Sequence, residues 1–384
     1  MKKAKLGDVC RVQGGYAFKS NEFQKNKIPV IRIGNIQENN ILIDDNICYT
    51  EDFLNNHPEF EINKGDILIA MSGATVGKVG KYLHESRALL NQRVGKFIIT
   101  GNLEKRYLYF LLQAPLFKKF ILNNAFGCAQ PNISNGKIEE FEFCIYEIEK
   151  QIKIATQLDK IQEIINQKNE QLENFEQLVK SQFVEMFENN KKVENKKIVD
   201  ICSSIVRGPF GSALKKEFFV EKSENTYKVY EQKNAINGDW KLGTYYIDEE
   251  KFNELKRFEC KAKDIIMSCS GTIGRFYQFP DNIDKGVINQ ALLKFTINED
   301  IVLSQYFIDY MKMNLDVLDT KGSGLQNIGS VSFIKEMEIP VPKIELQTKY
   351  LNFVKLIDKQ KFEIQKSLEE MQKLQESLMN KYFG

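Results

Sequence analysis

Apolar residues recur at alternating steps of four and three through two long stretches of the chain. In the first, 151–187, the stripe reads Ile154, Leu158, Ile161, Ile165, Leu172, Phe175 and Val179. In the second, 347–383, it reads Tyr350, Val354, Ile357, Ile364, Leu368, Met371 and Leu378. Lys168, Gln182, Lys361 and Gln375 interrupt the stripe, and Lys, Glu and Gln fill the remaining faces. A heptad seam held for about five heptads without Gly or Pro predicts two long helices, each with an apolar edge that needs a partner. The obvious partner is the other helix. Laid antiparallel, about 37 residues at 1.5 Å rise each make a rod of roughly 55 Å.

The two stretches are also copies of one another. Gln151 over Gln347 brings Lys153 onto Lys349, Leu172 onto Leu368, Ser181 onto Ser377 and Phe187 onto Phe383 without a gap. Upstream, NKGDILIAMSGATVGKVGKY matches KAKDIIMSCSGTIGRFYQF, LLNQRVGKFI matches VINQALLKFT, and AFGCAQPNIS matches GSGLQNIGS. Partners stay roughly 195 to 199 residues apart, which marks a tandem duplication. Short β-branched runs bounded by Gly, Asn or charge clusters predict strands at DILIAMSG, ALLNQRVGKFII, DIIMSCSG and GVINQALLKFT. Weaker helical patterns follow at 105–123 and 303–318. The predicted fold class is α+β: a globular domain followed by a long helix, twice over, with the two helices forming an antiparallel coiled coil. The corresponding boundaries are 1–150 and 189–345 for the domains, and 151–188 and 346–384 for the helices. The polar run ENNKKVENKK, 188–197, reads as a hinge. Pro340 and Pro342 mark the entry to the second long helix, whereas the first has no proline at its entry and a less sharply fixed start is expected.

Composition narrows the chemistry. A chain of 384 residues has room for two or three domains with real cores. Its net charge of +2 excludes a general polycation, so any nucleic-acid contact must come from local patches. Seven cysteines, an odd number with no C-x-x-C pair, read as thiols of a reducing compartment rather than a disulfide frame or zinc site. Only His57 and His84 are present, which argues against a His-dependent triad or a multi-histidine metal site. The N-terminus lacks an apolar h-region and no apolar run is long enough to span a bilayer, so a soluble cytoplasmic protein is expected.

GATVGKVG, 73–80, misses the phosphate-loop pattern by one residue of spacing, and Val79 follows its lysine. The second copy, GTIGRF, has no lysine there. A Gly-bearing turn remains, whose Ser72, Thr75 and Lys78, with Ser270, Thr272 and Arg275 in the second copy, are candidates for DNA phosphate contact. The Asn-Gln pair recurs as Asn91-Gln92 and Asn289-Gln290, and Asn and Gln can both read adenine. If the two domains read different sequences, however, residues common to both copies are scaffold or phosphate positioners, and specificity lies where the copies diverge. The divergent stretches, 19–60 and 213–258, carry Lys19, Lys25, Lys27, Arg32 and Asn35 in the first copy. In the second they carry Lys215, Lys216, Lys228, Tyr230, Gln232, Lys233 and Asn234. Basic residues interleaved with Asn, Gln and Tyr suit phosphate contact plus base-edge readout, although a solvated face has a similar composition. Arg93, Gln130 and Gln326 complete the candidate DNA contacts.

The chain resembles the specificity (S) subunit of type I restriction-modification systems over essentially its whole length. The resemblance rests on GGYAFKS, PVIRIGNI, NKGDILIAMSGATVGK, LNQRVG and QPNIS in the first half. GPFGSALKK, KDIIMSCSGTIG, INQ and IPVPKIELQ carry it in the second, together with the long helices. It implies two target recognition domains held by an antiparallel helix pair, each reading one half of a bipartite sequence in double-stranded DNA. It further implies that the helix pair sets the spacer and docks two methyltransferase subunits, to which restriction subunits are added. The chain itself would be non-catalytic and bind no metal or cofactor, S-adenosylmethionine, ATP and Mg belonging to the partner subunits. Two other readings stand against this one. A single-chain methyltransferase or nuclease would need an N-P-P-Y tetrapeptide and a Gly-rich cofactor motif, and neither occurs. A coiled-coil scaffold whose domains bind protein is the alternative from another class.

Overall fold

The computed structural model describes residues 2–37, 40–125, 131–189, 193–314 and 331–384. They divide into two compact units, one comprising residues 1–170 and 364–384, the other 171–363. The two have one topology. In the first unit a four-stranded antiparallel sheet orders Cys10–Gly14, Val94–Ile99, Ile67–Ala70 and Val79–Lys81. In the second, Cys202–Arg207, Leu292–Ile297, Ile265–Ser268 and Phe276–Gln278 take the same places. A second sheet pairs Ile28–Ile31 in parallel with Ala88–Leu90, flanked by Cys48–Tyr49 and Glu61–Ile62. Its counterpart pairs Tyr227–Tyr230 in parallel with Gly286–Ile288, flanked by Tyr246–Ile247 and Glu259–Cys260.

The apolar runs that predicted strands have a direct explanation. Ile67–Ala70 is buried on both faces. Ile67 and Ile69 enter a core shared with the helices, whereas Leu68 and Ala70 enter a separate core with Ile31, Tyr82 and Leu90. In the second unit Ile265 and Met267 face one core and Ile266 the other. With side chains alternating across a strand, a central strand between two cores has no polar face to show.

Both long helices form, over Ile148–Phe183 and Ile344–Phe383. Every apolar seam residue named above is buried or half-buried: Ile154, Leu158, Ile161, Ile165, Tyr350, Ile357 and Leu368 fully, and Leu172, Phe175, Val179, Val354, Ile364, Met371 and Leu378 partly. The helices run antiparallel within each unit. In the first unit Tyr382 reaches Gln157 at 3.3 Å and Gln375 reaches Gln162 at 2.9 Å, so one helix ascends as the other descends. In the second, Lys361 meets Glu176 at 3.4 Å and Tyr350 packs edge-on against Phe187 at 5.4 Å.

Three expectations are corrected. The start of the first long helix is no less defined than that of the second, despite its missing prolines. Buried glutamines pin both. Gln151 donates to the carbonyls of Tyr146 (2.8 Å) and Asn102 (3.2 Å) and accepts from the Glu104 N–H (2.9 Å). Gln347 donates to Pro342 (2.8 Å) and Ile301 (3.0 Å) and accepts from Leu303 (2.8 Å). The segment read as a hinge contains a strand, Glu194–Lys197, antiparallel to Glu338–Val341, just as Lys2–Lys5 pairs with Glu142–Ile145. Its Lys and Glu side chains hid a strand whose stability comes from its partner's backbone, not from its own burial. The helical pattern at 105–123 is two helices, Lys105–Gln113 and Pro115–Ala125, separated where Pro115 follows Ala114.

Candidate nucleic-acid interface

In each unit the loops that carry the candidate residues are built on fixed backbone. Gly15 packs so closely on the chain at Leu90 that a Cβ there would lie 2.1 Å from its carbonyl oxygen. Gly208 in the second unit stands 1.9 Å by the same measure from the carbonyl of Asn289. No residue but glycine fits either place without moving backbone, which explains why both loops begin with one. The Asn of each Asn-Gln pair forms the adjoining turn: Asn91 Oδ1 accepts the Arg93 N–H at 3.4 Å, and Asn289 Oδ1 accepts the Ala291 N–H at 3.1 Å. Those asparagines are scaffold in both copies. Gln92 and Gln290 project beside them and are exposed.

A third loop leaves the parallel strand of the second sheet. In the first unit the Arg32 N–H is capped by Asn35 Oδ1 at 2.8 Å; in the second, the Glu231 N–H is capped by Asn234 Oδ1 at 2.7 Å. This loop touches the Gly-bearing turn. Thr75 Oγ1 donates to the Ile33 carbonyl at 3.3 Å, and Gln232 Nε2 donates to the carbonyls of Ser270 and, at 3.4 Å, Thr272. Arg32, Gln92 and Arg93 line one cleft of about 250 Å³ in the first unit, together with Phe18, Ser20 and Phe23. Lys19 is exposed beside it and lies 3.6 Å from Glu22.

The remaining candidates divide. Lys215, Lys216, Thr272 and Arg275 are exposed on the second unit; Lys233 and Ser270 are half-buried, with Lys233 paired to Glu231 at 2.7 Å. Asn234 is a correction: it is fully buried, and its amide donates to the carbonyls of Asp239 (2.9 Å) and Leu242 (2.8 Å), so it holds its own loop. Asn35 is half-buried in the same capping role. Gln232 has its amide committed to the neighbouring turn. Lys228, with 2% exposure, donates to the Lys241 carbonyl at 2.8 Å between the rings of Tyr230 and Trp240, and burial lowers its pKa. Tyr230 is buried and its hydroxyl pKa is pushed up for the same reason. Ser72 is buried rather than surface-presented. Lys78 lies outside the Arg32 cleft and lines another, of about 380 Å³, with Lys118, Gln162, Gln375 and Glu376. Gln130 and Gln326 lie outside the described residues.

The turn also corrects the alignment of the copies. Gly77 donates to Ala70 and Ala70 to Lys78, at 2.8 and 3.0 Å; Gly274 donates to Ser268 and Ser268 to Arg275, both at 3.0 Å. Arg275 therefore stands where Lys78 stands, in a loop shorter by one residue, and a basic residue is kept. Sequence reasoning missed two features. Phe210 is 63% exposed with the Arg207 guanidinium 5.0 Å from its ring centroid. On the first unit, Tyr16, Phe18, Phe53, His57 and Phe60 form one aromatic cluster. The aromatic residues just after Gly15 and Gly208 were the available signal.

Among the described residues no helix is long and apolar enough to cross a membrane. The family model described as the type I restriction modification DNA specificity domain matches residues 1–174 and 190–374. The chain is 31% identical over 182 residues to the type I restriction enzyme MjaVIII specificity subunit of Methanocaldococcus jannaschii, covering 46% of this chain and 43% of that protein. The match thus spans less than half the length of that relative. The MjaIX specificity subunit of the same organism is 22% identical over 345 residues, 83% of this chain and 76% of that one. Two solved structures share the fold. One is a type I restriction-modification S subunit from M. genitalium, at TM-score 0.55 and 16% identity, covering 100% of this chain and 96% of that one. The other is a chain from a study of complex assembly and conformational transition of the type I R-M system, at TM-score 0.59 and 13% identity, covering 100% and 97%.

Proposed function

The chain belongs to the type I restriction-modification DNA specificity family, and from that premise we propose that its two recognition domains, 1–150 and 189–345, each read one half of a bipartite target in double-stranded DNA. The observation that carries this reading is one scaffold bearing two side-chain sets. The caps at Asn35 and Asn234 and the turns at Asn91 and Asn289 coincide, whereas the side chains those loops present differ. Exposed Lys and Arg around each patch supply phosphate contacts and loop side chains meet base edges.

The helices 151–188 and 346–384 set the spacer between half-sites and dock two methyltransferase subunits, with restriction subunits added in the full complex. S-adenosylmethionine, ATP and Mg are assigned to those partners. This chain does no chemistry and works in the cytoplasm. The test is a map of methylated adenines in cells holding the methyltransferase partner, with and without this gene. A split motif of fixed spacer that vanishes on deletion is expected. No change on deletion, together with a purified complex that ignores DNA, would leave the protein-binding scaffold as the better reading.

A further inference from the structure

Two backbone positions are the same in both units and carry opposed chemistry. Arg32 and Glu231 each follow the parallel strand, each extended, at φ −110° and −119° with ψ 168° in both, and each is capped by the asparagine three residues on. Arg93 and Ala291 each follow the Asn-Gln pair, and their carbonyls accept from Met71 and Cys269 at 2.9 and 2.8 Å. The first unit thus places two guanidinium groups where the second places a carboxylate and a methyl group. Arg32 and Arg93 are exposed, and neither side chain has a partner among the described residues. In the same unit Arg87 meets Glu51 at 3.0 Å and Arg106 meets Asp159 at 3.0 Å. Both unpaired arginines line the one cleft with Gln92.

Resting on the reading above, we infer that Arg32 and Arg93 are specificity residues that read guanine in the half-site of the first domain, and that the second domain reads its half-site without this pair. An arginine fork matches the O6 and N7 acceptors of guanine in the major groove, whereas a carboxylate in that position repels them and accepts instead from an amino group such as cytosine N4. Phosphate positioning is the competing role for a surface arginine. It is less well suited to a residue that the second copy replaces with glutamate or alanine, because both domains face the same backbone charge.

The test measures binding of the complete complex with its methyltransferase subunits to a set of duplexes, each changing one base pair of the target. Wild type, R32A, R93A and R93K are compared at several salt concentrations. Each alanine variant is expected to lose discrimination, roughly 5- to 150-fold, at one G·C pair of one half-site and nowhere else. R93K, which keeps the charge but not the fork, is expected to lose the same discrimination while keeping the wild-type salt dependence. A uniform loss on all duplexes with a shallower salt slope would make the arginines phosphate contacts and overturn the inference, as would relaxation at an A·T pair or unchanged discrimination. If the wild-type complex distinguishes none of the duplexes, the base-reading proposal itself fails, and this one with it.

Discussion

The same residue can carry different weight in the two copies. Lys294 lies 3.2 Å from Asp264 with 6% and 1% side-chain exposure, and also donates to the Glu259 carbonyl at 2.6 Å. Its counterpart Lys96 lies 3.9 Å from Asp66 with 14% and 20% exposure. Removing one partner of a buried pair strands a charge, so Lys294→Met should destabilise the second unit by about 3–5 kcal/mol in denaturant titration. Lys96→Met should cost about 1 kcal/mol. A second residue sets a pH dependence. Burial raises the Asp309 carboxyl pKa to about 6 from 3.8, with Asp358 adding to the rise and Gln305 and Lys312 opposing it. The folded state therefore holds this proton more tightly than the unfolded one. The resulting stability is fully present below about 4 and is lost as pH rises through about 6. Its size is of the order of 2–3 kcal/mol. Asp309→Asn should flatten the fall in melting temperature between pH 5 and pH 7.5; an unchanged slope would show that another group is responsible. None of this was legible in the sequence, where Asp66 and Asp264 align as equals and Asp309 is one acid among many.

At the scale of elements the sequence was most informative about the long helices and least about what pins their ends. A heptad seam is a local property, visible wherever apolar spacing persists. The latch made by Gln151 and Gln347 is not, because its partners lie 47 and 44 residues upstream and a glutamine in a polar-rich helix attracts no notice. Replacing Gln347 by Ala leaves the Leu303 N–H and the Ile301 and Pro342 carbonyls without their partner, a cost of about 2–4 kcal/mol. Hydrogen exchange at the Leu303 amide should accelerate in that variant; full protection would refute the latch. Strand Glu194–Lys197 escaped notice for a related reason: its signal resides in the Glu338–Val341 edge that receives it.

At the scale of the molecule, each compact unit is completed by a helix end that belongs by sequence to the other copy. Met379 and Phe383 are buried in the first unit's core, where Phe383 stands 5.0 Å from Tyr107. Phe187 occupies the matching place in the second, 5.0 Å from Tyr306. Ending the chain after residue 363 should therefore destabilise the first unit, although the removed residues are its most distant in sequence. Limited proteolysis should open sites within 1–170 before any in the second unit. A function-level prediction also belongs here: inserting one heptad in both long helices should change the spacer of the methylated motif and leave both half-sites as they were. An unchanged spacer would refute the proposed ruler.

The sequence alone determined the duplication, the two helices, the central strands and the family, because each is written in local periodicity or in order along the chain. The tertiary structure alone decided which helix end completes which core, and that Asn234 is interior while Arg32 and Arg93 share a cleft. It also set Arg32 against Glu231 as the same position in two copies. Those facts depend on which distant backbone segments meet, and no periodicity records the place where a cap, a cleft or a charge is brought together by folding.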